Sequence, residues 1–519
     1  MRSLNSLRNL IVSLLYELLV VAFGLFVPRL IIGTYGNDVN GLSSTVNQVL
    51  QIMNLLSAGA AGASIYQMYR PVAENDYEKV SMIMDGSRKY FFKLGLVFVG
   101  LVLCFSPVFG FLMGSENISV IEKIIAFLIL GANGALYFFF TSWYDILFSS
   151  HQKRFILSIA QIIDKVVYYS LVIVIIVLKL NYMWMYVAMV GGTSLRICVL
   201  YAVYCKTYKP LMKKIPKDSY FKIPDRGHLL VNQLSLHLVS SVPTVAVSLI
   251  CGLRYASIFS LYMLVLNMIK MILNTMQCSV SEVFGNLIVS KDGEEVKKVF
   301  STYDYIFTVA GVILCVCAAV LYMPFMNVYT AHNTLKPSGS TESINYLFPM
   351  LALLIVLVET SYSRLMPYNT VTVSYGMFKE TYKQSLICGI IAAALSVGLT
   401  FIDWYLVIIG PLFYYFSTLV YRMYISKRRL DWLNLYPSVR RSVFQFVAVA
   451  AGFFLSQLIF GADGYVKNWW YWLLYACITG AIVVVLIAIY TAIFERKEFK
   501  SSVGYIKAIL FRKRKKQNA

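Results

Sequence analysis

The sequence carries little charge and few groups that perform acid–base chemistry. Only 14% of its 519 residues are Asp, Glu, Lys or Arg, and only 4 are His. No segment contains a GxxxxGK[ST] phosphate-binding loop, and no loop pairs His with Ser or a carboxylate in a way that would shelter catalysis. We therefore expect neither ATP hydrolysis nor another enzymatic activity.

The 9 cysteines lack the spacing of a metal site. Nearly all of them lie inside hydrophobic runs, where Cys315 and Cys317 are expected to pack rather than to bind a metal. The first hydrophobic run, 10–33, is too long for the h-region of a signal peptide and lacks a small-x-small exit. We expect no metal, no cofactor and an uncleaved first span.

What the sequence has in abundance is hydrophobic length. Hydrophobic residues make up 59% of the chain, and the mean hydropathy is +0.68. Runs of about 20 apolar residues, enough to cross roughly 30 Å of hydrocarbon, recur throughout and predict an all-α integral membrane protein with about 14 transmembrane helices. The predicted spans are 10–33, 39–65, 91–114, 119–148, 155–178, 182–205, 229–252, 255–289, 304–328, 345–366, 384–402, 404–425, 438–461 and 468–493.

The net charge of +21 is distributed as in a membrane protein, so we expect no nucleic acid partner. Most of the 46 Lys and Arg residues lie between alternate hydrophobic runs, with clusters after spans 2, 6 and 12 and in the C-terminal tail. Positively charged segments stay in the cytoplasm. The pattern predicts a multi-pass protein of the bacterial cytoplasmic (inner) membrane with both termini in the cytoplasm.

Loop composition divides the chain into five predicted parts. The segments after spans 2 and 8, Tyr77–Val80 and Glu294–Lys298, resemble each other and predict two six-helix lobes in pseudo-repeat. The alternative is that inner loops look alike because all are short and basic. The predicted parts are an N-lobe with spans 1–6 (1–206), a basic connector (207–228), a C-lobe with spans 7–12 (229–426), an extra pair of spans 13–14 (427–494) and a basic tail (495–519).

Polar residues inside the spans form two stripes. Their spacing of three and four places each stripe on one helix face. Such a face is costly in lipid, so it must contact protein or a water-filled cavity, although amides could also simply join helices. A lysine at the centre of a span costs roughly 2.5–3.5 kcal/mol, which favours a cavity at span 8. The stripes contain Asn267, Lys270, Asn274 and Gln277 on span 8, and Asn47 and Gln51 on span 2.

Charged residues deep in the spans are mostly cationic. If several of them share one cavity, its ligand is an anion such as a pyrophosphate; the acidic residues could instead form ion pairs or couple transport to a cation. The deep cations are Arg29, Lys165, Arg196 and Lys270, and the deep acids are Glu17, Asp164 and Glu359. Four more charges near cytoplasmic ends could simply reach the interface, namely Asp145, Glu282, Arg364 and Arg422.

Three segments resemble those of Wzx-type polysaccharide flippases, which belong to the multidrug/oligosaccharidyl-lipid/polysaccharide (MOP) exporter superfamily. Pro28–Gly36 with Val39–Leu42 is similar to the first external turn of that family. Ile65–Asp76 resembles the end of its span 2 and the following loop, and Pro367–Asn369 with Gly376–Thr381 resembles the loop after span 10. The chain departs from the family at Asn54–Gly59, which lacks the acidic residue often found there.

The resemblance implies a substrate, an oligosaccharide repeat unit on undecaprenyl pyrophosphate. It would be flipped by alternating access to the periplasmic leaflet for assembly of lipopolysaccharide, capsule or exopolysaccharide. Membrane lipid and other polysaccharide assembly proteins are the further partners expected, and a coupling cation would be H⁺ or Na⁺. Arg29 and Lys270 become the first candidates for phosphate binding, followed by Lys165 and Arg196.

Other functions stay open at this point. A lipid II flippase also handles a pyrophosphate, and a drug exporter of the same superfamily is expected to have twelve spans and an acidic cavity. A membrane polysaccharide polymerase or ligase usually carries a large external loop, whereas the longest one predicted here is 330–345. A scaffolding membrane protein is the remaining alternative.

Overall fold

The computed structural model describes residues 2–57, 60–115, 117–212, 227–290, 293–330, 345–461, 464–466 and 468–502. Within these ranges the secondary structure is helical, with no β-strand. Most of the predicted connector, the loop at 331–344 and the tail beyond 502 lie outside the described residues.

The described residues form long α-helices joined by short turns. Turns of other helical types include a 3₁₀ turn at Asn54–Ser57 and a π-helical turn at Tyr137–Thr141. The helices are α1 (Arg2–Tyr35), α2 (Asn37–Met53), α3 (Ala60–Glu74), α4 (Tyr77–Leu112), α5 (Val120–Leu136), α6 (Ser142–Ser150), α7 (Arg154–Val177), α8 (Met183–Thr207), α9 (Gly227–Ile250), α10 (Leu253–Ser290), α11 (Gly293–Thr330), α12 (Pro349–Ser374), α13 (Phe378–Thr400), α14 (Ile409–Arg429), α15 (Tyr436–Phe460) and α16 (Trp469–Phe494).

Within the described residues, 12 helical segments are long and apolar enough to cross a membrane. They coincide with predicted spans 1, 3 to 6 and 8 to 14, which confirms an all-helical, multi-pass membrane protein. The other two predicted spans have a different form. Span 2 is interrupted at Asn54–Ser57, between α2 and α3, and span 7 contains the shorter apolar helix Leu234–Ile250.

The turn between α1 and α2 is a single residue, Gly36. Its φ of 88° and ψ of 174° lie in a region that glycine enters readily and other residues do not. Further along, α2 approaches α10 so closely that a Cβ on Gly41 would lie 1.9 Å from the Leu253 carbonyl oxygen. Asn40 donates a hydrogen bond of 2.8 Å to Ser257 Oγ at the same crossing. Two glycines thus fix how α2 leaves α1 and packs on α10.

The chain forms two compact units, with the main boundary between Leu261 and Tyr262 inside α10. In the first, unit 1, α1 packs on α7, α7 on α8, and α4 on α5. Phe98 and Phe138 lie with ring centroids 5.0 Å apart in its core. Large apolar side chains are also exposed on its outer faces, among them Leu96 at 56% and Val177 at 72%, and such faces match lipid tails.

The second unit, unit 2, is built around α12, which packs against α11, α14 and α15. In the most apolar stretch of α12, 78% of the residues are buried, whereas in the corresponding stretch of α16 only 17% are. Polar side chains on α12 therefore need partners inside the protein rather than in lipid or water. The predicted division at the connector 207–228 rests on loop composition and stays a prediction.

Candidate functional site

Lys270 on α10 lies beside a buried carboxylate in unit 2. Its Nζ is 3.8 Å from Glu359 Oε1 on α12 and donates a hydrogen bond of 3.3 Å to the Tyr415 hydroxyl on α14. The ring centroids of Tyr362 and Tyr415 lie 5.2 and 4.8 Å from the same nitrogen. The ammonium is thus held by cation–π attraction on two sides and by one carboxylate.

Helical spacing brings these groups together. Glu359 and Tyr362 are three residues apart on α12, and Lys270 and Asn274 are four apart on α10, so each pair shares a helix face. The Tyr362 hydroxyl donates to Asn274 Oδ1 and links the two faces. The polar stripe on span 8 therefore faces α12 and α14 at these positions. We call the set of Lys270, Asn274, Glu359, Tyr362 and Tyr415 the lysine site.

Glu359 is held loosely for a buried acid. Its side chain is 0% exposed, and neither carboxylate oxygen has a hydrogen bond within the described residues. The 3.8 Å contact to Lys270 is longer than a charge-assisted hydrogen bond of about 2.7–2.9 Å. A buried carboxylate in such surroundings is costly to keep ionised. The pair is therefore well suited to exchange its partner or its proton.

The rest of the span 8 stripe extends away from the lysine site. Asn267 is exposed, and Gln277 donates a hydrogen bond of 3.2 Å to Thr370 Oγ1 on α12. The side chains of Ser281 and Glu282, further along α10, lie outside the described ones.

In unit 1 the predicted charges form a cluster of mixed sign. Arg196 on α8 lies 3.8 Å from Asp145 on α6, so this acid pairs within the protein rather than reaching the interface. Asp164 on α7 is buried, and its Oδ1 has no hydrogen bond within the described residues. Tyr16 on α1 lies within electrostatic range of Glu17, Asp164 and Arg196. The cluster is therefore not purely cationic.

Of the remaining predicted residues of unit 1, Lys165 is next to Asp164 on α7 and lies within its electrostatic range. Arg29 is half-buried and lies about 18 Å along α1 from Glu17, at about 1.5 Å per residue. Lys165 Nζ lies 5.6 Å from the Tyr168 ring centroid. Asn47 donates to a carbonyl oxygen of its own helix, 2.8 Å away, and Gln51 is exposed. A cavity shared by Arg29 and Lys270 stays a prediction, since the two residues belong to different units.

A second set of buried charges in unit 2 was not predicted. Asp304 on α11 receives Arg364 at 2.7 Å, Arg441 at 2.8 Å and the Ser438 hydroxyl at 2.7 Å. Arg441 also binds Glu495, just after α16, at 2.6 Å. The four charged side chains are at most 1% exposed. We call these four residues the Asp304 network.

The network corrects the interpretation of Arg364 as a side chain that reaches the interface. Its guanidinium is buried because Asp304 neutralises it and Thr308 accepts a further hydrogen bond of 2.6 Å. Arg422 is buried too and donates to Thr372, but it has no carboxylate partner within the described residues. The spacing of Asp304 and Thr308, four residues apart, places both on one helix face but does not identify Arg364 as their partner.

Comparison with solved structures gives the fold. The lipid II flippase MurJ in an inward closed conformation aligns with a TM-score of 0.61 at 14% identity, over 93% of this chain and 98% of that one. A multidrug resistance MATE family transporter in an inward-facing conformation gives 0.59 at 13% identity, over 86% and 95%. A MOP superfamily transporter from Pyrococcus furiosus gives 0.50 at 14% identity, over 89% and 95%.

Sequence comparison gives the family. None of the proteins with curated functions matches the chain. Residues 6–281, more than half of the chain, match the family described as polysaccharide biosynthesis protein. The resemblance seen in the short segments is thereby confirmed. The chain belongs to the polysaccharide biosynthesis protein family and has the fold of the MOP superfamily of membrane transporters.

Proposed function

We propose that the chain is a flippase for undecaprenyl-pyrophosphate-linked oligosaccharide repeat units in the bacterial cytoplasmic membrane. It moves them by alternating access of two six-helix lobes, and it supplies surface polysaccharide biosynthesis. In this proposal spans 2 and 7 cross the bilayer together with the 12 candidate spans, and both termini lie in the cytoplasm. Family membership and a fold shared with a lipid II flippase support it.

The observation that carries the proposal is the lysine site. A lysine in a membrane-spanning helix is retained for a functional or pairing role. Here the pairing is weak, because Lys270 lies 3.8 Å from Glu359 and is still 20% exposed. A pyrophosphate oxygen offers Lys270 a shorter, charge-assisted hydrogen bond than Glu359 does. We therefore assign Lys270 to the pyrophosphate, with Asn267, Asn274 and Gln277 along the same helix as candidates for the sugars.

The same exchange suggests how transport is coupled. When Lys270 moves to a phosphate, Glu359 loses its positive partner, and an isolated buried carboxylate must gain a cation or a proton. Glu359 is then the site of the coupling cation, H⁺ or Na⁺. The mixed cluster of unit 1, with Glu17, Asp164 and Arg196, is the second candidate for such a site. Arg29, Lys165, Asn47 and Gln51 stay candidates for contacts with the substrate.

Complementation of a strain that lacks the gene tests the proposal. We expect that Lys270→Met abolishes export and traps lipid-linked repeat units on the cytoplasmic side. Lys270→Arg should restore part of the export because it keeps the charge. The matched control is Lys297→Met, which removes an exposed lysine of the same unit. Full export by Lys270→Met would remove Lys270 from the site.

A lipid II flippase is the second candidate, favoured by the alignment with MurJ over 93% of this chain. Both substrates carry a pyrophosphate, so the lysine site suits either. Expression of the chain in a host depleted of its own lipid II flippase distinguishes the two substrates. A chain that rescues growth handles lipid II, and one that rescues only surface polysaccharide handles the oligosaccharide. A cationic drug suits the site less well, because it would have to approach Lys270.

A further inference from the structure

Unit 1 contains a cavity whose lining residues include none of the predicted site residues. It is a groove of about 530 Å³ between α4, the π-helical turn, α6 and α8. Six aromatic side chains and Arg88 are among the residues that line it. The aromatic residues are Phe139, Phe140, Trp143, Tyr144, Tyr201 and Tyr204.

The π-helical turn Tyr137–Thr141 forms the apolar part of this groove. π-helical turns are rare and occur frequently at functional sites. In this one the Thr141 hydroxyl is buried and has no hydrogen bond within the described residues. The turn places Phe139 against α4, where a Cβ on Gly95 would lie 2.7 Å from the ring. Glycine at that position therefore makes room for the aromatic wall.

One end of the groove is cationic. The guanidinium of Arg88 lies 5.8 Å from the Trp143 ring centroid and within electrostatic range of the Tyr144 and Tyr204 side chains. The only carboxylate that lines the groove, that of Asp85, is already bound by Lys89 at 2.6 Å. Arg88 forms no ion pair with a carboxylate of the described residues. Arg88 thus brings a positive charge near the Tyr144 and Tyr204 side chains, and it has no ion-pair partner among the described residues.

The other end opens onto an apolar face. Phe140 and Tyr201, which line the groove, are 48% and 54% exposed, and Phe92 and Leu96 continue the face along α4 at 52% and 56%. On a membrane protein such a surface meets hydrocarbon, because lipid tails are as apolar as these side chains. Arg88 lies in the basic segment that charge distribution predicts at the cytoplasmic interface. The groove therefore runs from a headgroup level into the bilayer.

We propose that this groove binds one anionic phospholipid of the inner leaflet. Its phosphate lies on Arg88 and the Tyr204 hydroxyl, and one acyl chain lies along Phe139 and Phe140. Basic pockets between transmembrane helices on the cytoplasmic side are typical headgroup sites, and Arg suits phosphate geometry. The site goes beyond the proposed transport function and depends on neither the identity of the substrate nor the lysine site.

Thermal denaturation of the full-length protein in detergent tests the site. We expect phosphatidylglycerol to raise the midpoint temperature by about 3–5 °C, as for a ligand that binds only the folded state. Phosphatidylcholine with the same acyl chains and soluble glycerol phosphate should both give little shift, because one lacks net charge and the other lacks the chains. An equal shift with glycerol phosphate would contradict the proposal, since a free phosphate would then suffice.

Substitutions locate the effect. Arg88→Gln should lose most of the phosphatidylglycerol shift, while Arg88→Lys keeps part of it. The matched control is Arg70→Gln, because Arg70 is an exposed arginine of the same unit that pairs with Glu74 outside the groove. Phe140→Ala should weaken the response through the acyl chain. Equal losses in Arg70→Gln and Arg88→Gln, or none in Arg88→Gln, would show diffuse surface attraction instead of a site and overturn the proposal.

Discussion

Unit 2 buries charge in two ways. In the Asp304 network, two arginines and a serine hydroxyl reach one carboxylate at 2.7–2.8 Å. In the lysine site, one ammonium stays 3.8 Å from a carboxylate whose oxygens have no hydrogen bond within the described residues. Both acids are fully buried, so burial alone does not distinguish them. The number and length of the contacts do.

The difference indicates what each set is for. A buried ion pair stabilises a fold only when excellent geometry and further hydrogen bonds offset the loss of water. The Asp304 network meets that condition and joins α11 and α12 to α15 and to the segment after α16. It fastens the extra helix pair to the rest of unit 2. The lysine site does not meet it, and this agrees with the proposed exchange of partners at Lys270 and Glu359.

The largest expected effect is that of Asp304→Asn. The substitution removes the carboxylate that neutralises the buried side chains of Arg364 and Arg441. Breaking a buried ion pair of this kind lowers the free energy of unfolding by about 3–5 kcal/mol. We expect a strong loss of folded protein in the membrane and a large fall in the midpoint temperature. Asp431→Asn, which neutralises an exposed acid of the same unit, is the control. A stable Asp304→Asn protein would mean that the network is dispensable for the fold.

Lys270→Met should separate stability from transport. The variant leaves Glu359 buried alone, but a lone carboxylate can take up a proton and become neutral. We expect the midpoint temperature to change by less than about 3 °C, while export falls at least about tenfold, which corresponds to about 1.4 kcal/mol. Export and thermal stability are measured on the same preparation of cells. A loss of stability as large as that of Asp304→Asn would make Lys270 a structural residue.

Double-mutant cycles compare the contacts directly. For Lys270→Met with Glu359→Gln, we expect a coupling free energy below about 1 kcal/mol in thermal stability, because the contact is long. The cycle of Arg440→Gln with Glu495→Gln examines a pair at 2.6 Å at the edge of the Asp304 network and should give about 1–3 kcal/mol. Equal couplings would remove the distinction between the two sets.

The sequence predicts the spans and the two residues of the lysine site that lie on α10, Lys270 and Asn274, for a physical reason. Length and hydropathy are local properties, so twelve spans follow from them directly. The three-and-four spacing of Lys270 and Asn274 is local as well. The interruption of span 2 at Asn54–Ser57 does not follow from length and hydropathy. Which of three acids partners Lys270 depends on the pairing of α10 with α12, and one sequence does not contain that information.

The Asp304 network lies beyond sequence reasoning for the opposite reason. In the sequence its members lie at or near the ends of apolar runs. Charged residues are common next to membrane spans, so their presence there does not indicate a site. The members become unusual only when α11, α12, α15 and the segment after α16 bring them together away from water. Arg364 was therefore interpreted as an interface residue, although Asp304 neutralises it 60 positions away in the chain. Hydropathy measures the average surroundings of a segment and does not register a specific partner.

The smallest expected effect is on a pair that has the same charges but no burial. Lys297 lies 3.3 Å from Glu294, and the two side chains are 45% and 83% exposed. Lys297→Gln should change stability by less than about 0.5 kcal/mol, and added salt should remove even that difference. Midpoint temperatures at low and high NaCl measure it. The Lys297–Glu294 distance is shorter than the 3.8 Å between Lys270 and Glu359. If Lys297→Gln has a negligible effect while Lys270→Met loses transport, the length of an ion pair alone does not determine its importance. A large effect of Lys297→Gln would instead mean that ion pairs at exposed helix starts stabilise this fold as buried ones do.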